Sequence, residues 1–233
     1  MPTGTQQRLK CLGLRDKHIS SLLLCLFLIL PASASSIEVP MPGLSDDGVM
    51  PSTKQRIWVS SVGDGFRSGS RNVGLSAGAS YGMLVFGSNE RHHLALVSAS
   101  CGRMVGGVIG KHHWYGGNIE LRAEVFSGAQ FNATTRGLVG LTPHIRYHIA
   151  TGTRLVPYLD AGAGISLTEI RGPDLGGAFQ FNLQTMIGAN YFVKNDISID
   201  IAVQYLHISS SAISMPNNGV NTLGCFLGIH FFF

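Results

Sequence analysis

Charge is scarce in this chain: Asp, Glu, Lys and Arg make up only 13% of its 233 residues. Helical periodicity is also missing, because no window from Asn72 onward repeats its apolar residues at a spacing near 3.6. The one long apolar run, Leu22 to Leu30, is too short to cross a bilayer as a helix, which needs about 20 residues. No glycine-rich loop follows a strand and opens a helix, so a nucleotide site is not supported. The histidine pairs His92-His93 and His112-His113, and the alternating His144 and His148, lack the mixed ligand set of a closed metal site. Structural or loop roles are expected for them.

What the N-terminus does contain sets the compartment. Lys10, Arg15 and Lys17 precede the apolar run, and Pro31-Ala32-Ser33-Ala34 follows with the small-x-small form of a signal-peptidase site. Residues 1–34 are therefore expected to be a cleaved secretory signal peptide. With it go Arg8, Lys10, Arg15, Lys17 and the single acid Asp16, which leaves 13 of the 17 basic and 12 of the 13 acidic residues. The basic character belongs mostly to the signal, and no case for nucleic-acid binding survives. Only Cys101 and Cys225 remain of the 4 cysteines. A disulfide is conceivable in an oxidising compartment, but Cys225 falls on an outward-facing strand position, and two free thiols are the reading preferred. Residues 35–71 are expected to form a Pro-, Gly- and Ser-rich leader or a periplasmic arm. Ile57-Trp58-Val59 within it fits either a short strand or an arm packed at one end of the following domain.

Residues 72–233 hold eight segments of strand length that alternate with a period of two. Val73, Leu75, Ala77, Ala79 and Tyr81 alternate with Gly and Ser; Leu94 to Cys101 is a weaker second strand. Ile119 to Val125, Val139 to Ile149, Leu155 to Ile165, Phe179 to Ile187, Ile197 to Tyr205 and Leu223 to Phe233 complete the set. Successive strand side chains face opposite sides. Glu120, Arg122, Glu124, Arg146, Asp160 and Asp200 thus share the face opposite the apolar one, as in a barrel with an apolar exterior and a polar lumen. Ion pairing of Glu124 and Asp160 with Arg122 and Arg146 is expected there. A signal peptide, few charges and a terminal Phe233 favour the membrane over a soluble sandwich. The fold class expected is all-β: an eight-stranded antiparallel transmembrane β-barrel of the outer membrane. Short turns at 150–154 and 193–196 and long loops at 168–178 and 210–220 put both chain ends in the periplasm. The connection 106–116 is long for a periplasmic turn and predicts an irregular hairpin.

One stretch carries chemistry. His207 and Ser209 continue the apolar face of the seventh strand, and Asn221 continues that of the eighth. Alpha carbons two apart on a strand are about 6.5 Å apart on one face, so an imidazole reaches a serine hydroxyl. His207 is then a candidate general base, Ser209 a candidate nucleophile for an ester carbonyl, and Asn221 the group that holds the imidazole tautomer. Asn217 and the backbone amide near Ala212 are candidates for the oxyanion hole. Polar side chains are out of place on a lipid-facing surface unless they work near the interface.

His207-x-Ser209, Pro216-Asn217-x-Gly219 and the hydrophobic last strand resemble the end of the PagL-type lipid A 3-O-deacylases over about thirty residues. The resemblance implies an eight-stranded outer-membrane barrel that hydrolyses the ester-linked acyl chain at the 3-position of lipid A. It further implies a Ser-His-Glu triad on the lipid-facing side, the lipopolysaccharide of the outer leaflet as partner, and no cofactor. His207 matches the base and Ser209 the nucleophile. Asn221 stands where the family has its acid, and Ser210-Ser211 where it usually has Asn and a small residue. The reading from a different class is a non-catalytic barrel that is structural or binds lipopolysaccharide. A pore is not expected, because eight strands enclose only enough space for their own side chains.

Overall fold

The computed structural model describes Phe66, 68–111 and 113–233. The expected signal peptide, the leader up to residue 65, Arg67 and His112 lie outside the described residues. Eight strands follow in order: β1 Arg71–Met83, β2 Leu94–Ile109, β3 Gly117–Gln130, β4 Arg136–Ile149, β5 Leu155–Thr168, β6 Phe179–Phe192, β7 Ile197–Ser209 and β8 Val220–Phe232. Each pairs antiparallel with its neighbours, and β1 pairs with β8 to close the barrel. Closure removes every sheet edge, the condition for a sheet to sit in lipid.

The parity of the side chains explains which surface is which. Leu75, Val97, Leu121, Ile145, Leu159, Ile187, Ile201 and Leu227 are exposed on the outside. In aqueous solution an apolar surface of this extent would be costly to hydrate. Exposed aromatics ring both rims, Tyr81, Phe131 and Phe179 at one end and Trp114, Tyr115, Tyr191 and Phe231 at the other, the girdles of a transmembrane barrel. Cys101 and Cys225 are free thiols, Cys225 exposed on this outer face.

The lumen is a packed polar core. Asp160 accepts from Arg146 Nε at 2.7 Å and sits 2.6 Å from His144 Nδ1, while Arg122 pairs with Glu124. Glu120 is 2.6 Å from His148 Nε2 and accepts from Asn72 Nδ2 at 2.8 Å. The Arg146 guanidinium lies 3.8 Å over the Tyr158 ring. Buried charges need partners of this kind, and here they tie four of the eight strands, β1, β3, β4 and β5, together across the lumen. The turn-side mouth is stopped by Phe66, whose ring lies 4.9 Å from that of His148 and 5.5 Å from that of Phe232. Arg71, expected at the end of the leader, opens β1 instead.

Most strands are longer than alternation suggested, β2 by the greatest margin. β2 runs past Cys101 to Ile109, with a shift of register between Val105 and Ile109. Gly106 has φ 69° and carries no side chain to signal a face, so the pattern breaks where the strand does not.

Candidate active site

The site lies at the end of the barrel that carries the connections 84–93, 131–135, 169–178 and 210–219. His207 and Ser209 occupy the last turn of the pleat of β7, and Asn221 the second residue of β8, directly opposite His207 in the register. The Ser209 hydroxyl is 3.0 Å from His207 Nε2, and His207 Nδ1 is 2.7 Å from Asn221 Oδ1. The three residues selected from parity thus form one hydrogen-bonded chain on the outward face. His207 and Ser209 are half-buried. Asn221 differs from its expected setting: it is 1% exposed, because the β1–β2 connection folds over it.

That cover fixes which way the amide points. Asn221 Nδ2 donates to the Val85 carbonyl at 2.9 Å and to Ser88 Oγ at 2.7 Å. A carbonyl can only accept, so the NH2 must face Val85 and the oxygen must face His207. The oxygen in turn can only accept, so Nδ1 of His207 carries a proton, and in the neutral ring Nε2 then turns its lone pair toward Ser209. Asn221 Oδ1 takes a second hydrogen bond, from the Tyr205 hydroxyl at 2.6 Å.

Asn217 and Ala212 are in the loop that follows Ser209. Asn217 Oδ1 accepts from the Ser210 N–H at 2.7 Å and the Ser210 hydroxyl at 2.9 Å, which leaves its NH2 as the group available to an oxyanion. Ser211 and Ala212 have φ of 51° and 66° in a turn closed by Ile213 N–H to Ser210 O at 3.1 Å. Left-handed non-glycine residues are costly and concentrate at functional loops. The Ala212 N–H has no partner among the described residues.

Asp174 knits the rim around this centre. Its carboxylate accepts from the N–H groups of Asn89 and Glu90 at 2.7 and 3.0 Å and lies 2.9 Å from His92 Nε2. Its carbonyl accepts from the N–H groups of Asn218 and Gly219. Burial pushes the carboxyl pKa up, but the bonds from Asn89, His92 and Glu90 outweigh it and hold the group below the usual aspartate value. The histidine pairs divide: His92 serves this staple, and His93 Nδ1 accepts from Gly82 N–H at 3.0 Å. Tyr205, Ser88, Val85 and Asp174 were not singled out in the sequence. Only Tyr205 leaves a trace there, as the residue preceding His207 on the same face.

The fold and this chain of groups define a class: an outer-membrane-type barrel with a serine, a histidine and an amide aligned on its lipid-facing side. Residues 104–230 match the family described as lipid A 3-O-deacylase (PagL). The match covers more than half of the chain, and the chain belongs to that family. Among solved structures it is similar to the outer membrane enzyme PagL, at 15% identity over 67% of this chain and 97% of the other, with a TM-score of 0.52. It is likewise similar to Neisserial surface protein A, at 17% identity over 70% of this chain and 97% of the other, with a TM-score of 0.53. At these identities the likeness is one of fold. No curated protein matches the chain in sequence.

Proposed function

We propose that the protein is an outer-membrane esterase that removes the 3-O-linked acyl chain of lipid A. The observation that carries this reading is the orientation of Asn221. With its NH2 held by Val85 O and Ser88 Oγ, the amide presents the oxygen to His207, and the imidazole is left in the tautomer a general base requires.

Ser209 Oγ attacks the ester carbonyl as His207 Nε2 takes the hydroxyl proton. The NH2 of Asn217 and the N–H of Ala212 receive the developing oxyanion. The tetrahedral adduct collapses with loss of the sugar 3-hydroxyl, which takes the proton back from His207. Water, activated by the same imidazole, then releases the fatty acid from Ser209. Phe181 and Leu183, the β6 partners of Ser209 and His207, offer apolar surface to the acyl chain. The long connections are extracellular and the short turns periplasmic, as in barrels of this kind, so the site faces the outer leaflet, where lipid A resides.

Mass spectrometry of lipid A from cells expressing this chain or its Ser209→Ala variant tests the reading. Loss of one hydroxyacyl chain with the intact protein only is the expected result. Unchanged lipid A in both, with the barrel folded in the outer membrane, would leave the non-catalytic, lipopolysaccharide-binding reading in its place.

A further inference from the structure

The Val85 carbonyl and the Ser88 hydroxyl that hold the Asn221 amide belong to one tight turn in the β1–β2 connection. Val85 to Ser88 is closed by Ser88 N–H to Val85 O at 3.2 Å, with φ of 52° at Phe86 and 95° at Gly87. Positive φ at both central positions is the type I′ geometry, for which glycine and asparagine are preferred. A phenylalanine there is strained, and the residue is 81% exposed, so no core packing repays the strain. Such outliers accumulate where geometry matters. What this turn presents to the site is a pair of acceptors, the carbonyl of its first residue and the hydroxyl of its last.

Ser88 is an acceptor for a definite reason. Its hydrogen is committed to the Gly219 carbonyl at 2.7 Å, so toward Asn221 it has only lone pairs to offer. An amide NH2 satisfies both acceptors of the turn. An amide oxygen would be repelled by both, and the NH2 would then face His207 and force its proton onto Nε2, where it blocks Ser209.

We infer that Ser88, held by the Val85–Ser88 turn, is a positioning residue that selects the amide orientation of Asn221 and through it the tautomer of His207. The inference rests on the esterase reading for its purpose, but not for its test. A carboxylate has two equivalent oxygens and no orientation to select, so the role of Ser88 in setting the tautomer is specific to an amide at position 221.

The experiment is nitrogen NMR of the His207 ring in the full-length mature barrel in detergent micelles, at a pH where the imidazole is neutral. The Nδ1–H form is expected to dominate in the intact protein. Ser88→Ala removes one of the two acceptors, and one hydrogen bond is worth about fivefold in an equilibrium. The tautomer ratio should move by about that factor toward Nε2–H, and Ser88→Thr, which keeps the hydroxyl, should restore it. In an Asn221→Asp background the Ser88→Ala change should leave the tautomer in place. A ratio unmoved by Ser88→Ala, or moved equally in the aspartate background, would overturn the inference. Turnover of lipid A by the same samples is a separate reading: kcat should fall up to fivefold with Ser88→Ala at unchanged KM. If Ser209→Ala matches the intact protein in that assay, the esterase reading fails while the tautomer result still decides the role of Ser88.

Discussion

Replacing Asn221 by aspartate separates the two things a triad acid supplies, orientation and charge. In serine proteases the reverse change, acid to amide, costs about 10⁴ in rate because the amide imposes the wrong tautomer. Here the turn at Val85–Ser88 already gives the right one, so aspartate adds only charge. A hydrogen bond to a neutral group contributes about 0.5–1.5 kcal/mol and one to a charged group about 1.5–3. The difference, about 1–1.5 kcal/mol, corresponds to roughly five- to tenfold in rate. The gain has a counterweight. The second carboxylate oxygen falls where Nδ2 now lies, 2.9 Å from Val85 O and 2.7 Å from Ser88 Oγ. Ser88 can turn its hydroxyl toward it, but the Val85 carbonyl cannot, and a buried acceptor pair destabilises by about 1–3 kcal/mol. Asn221→Asp should therefore raise kcat about five- to tenfold and lower the unfolding midpoint. The assay is release of the hydroxyacyl chain from lipid A in micelles at saturating substrate, with Ser209→Ala as the blank. A gain of 10³ or more would refute the reasoning, since it would mean that the amide faces His207 with its NH2.

The remaining tests concern the scaffold. Asp174→Asn puts an NH2 against donors from Asn89, Glu90 and His92 and should open the rim, read as faster proteolysis within 84–93 and 169–178. Because the Asp174 pKa is depressed on folding, its stabilisation is fully present above the unfolded value of 3.8 and is lost as pH falls through the lower folded value. Rim proteolysis at pH 5 to 8 should accordingly show no contribution from Asp174 titration. Phe66→Ala leaves a hole among His148, Phe192 and Phe232 and should cost about 3–5 kcal/mol in denaturant unfolding; a loss under about 1 kcal/mol would mean that Phe66 is not a packed plug.

The barrel was legible because lipid enforces parity. An outward side chain in the bilayer has to be apolar, so alternation survives along most of β3 to β8 and marks Glu120, Arg146, Asp160 and Asp200 as lumenal. It fades where water relaxes that demand, as at Gly106 and Gly107 in β2. The partners of the lumenal charges were only partly readable, since parity names a face but not a neighbour across the lumen. Glu120 takes His148, which is 28 residues away, in addition to Asn72. The same limit applied to the site. His207 and Ser209 are local to one strand, and Asn221 is one hairpin away. Ser88 is 133 residues from Asn221, and nothing in its surroundings distinguishes it from other loop serines.

The distance in sequence has a structural meaning. Asn221 faces Met83 across the β1–β8 pairing, the seam at which the first and last strands meet. His207 and Ser209 belong to a hairpin that pairs within itself, whereas the acceptors that orient Asn221 come from the connection that leaves β1. A barrel with β7 and β8 paired but the seam open would hold His207 and Ser209 in register, yet leave the Asn221 amide free to turn. The aligned chain from Ser209 to Asn221 is thus a property of the closed barrel. Where the acid of a triad can only accept from the imidazole and so orients it unaided, the amide of Asn221 takes its orientation from topology, through two acceptors delivered across the seam.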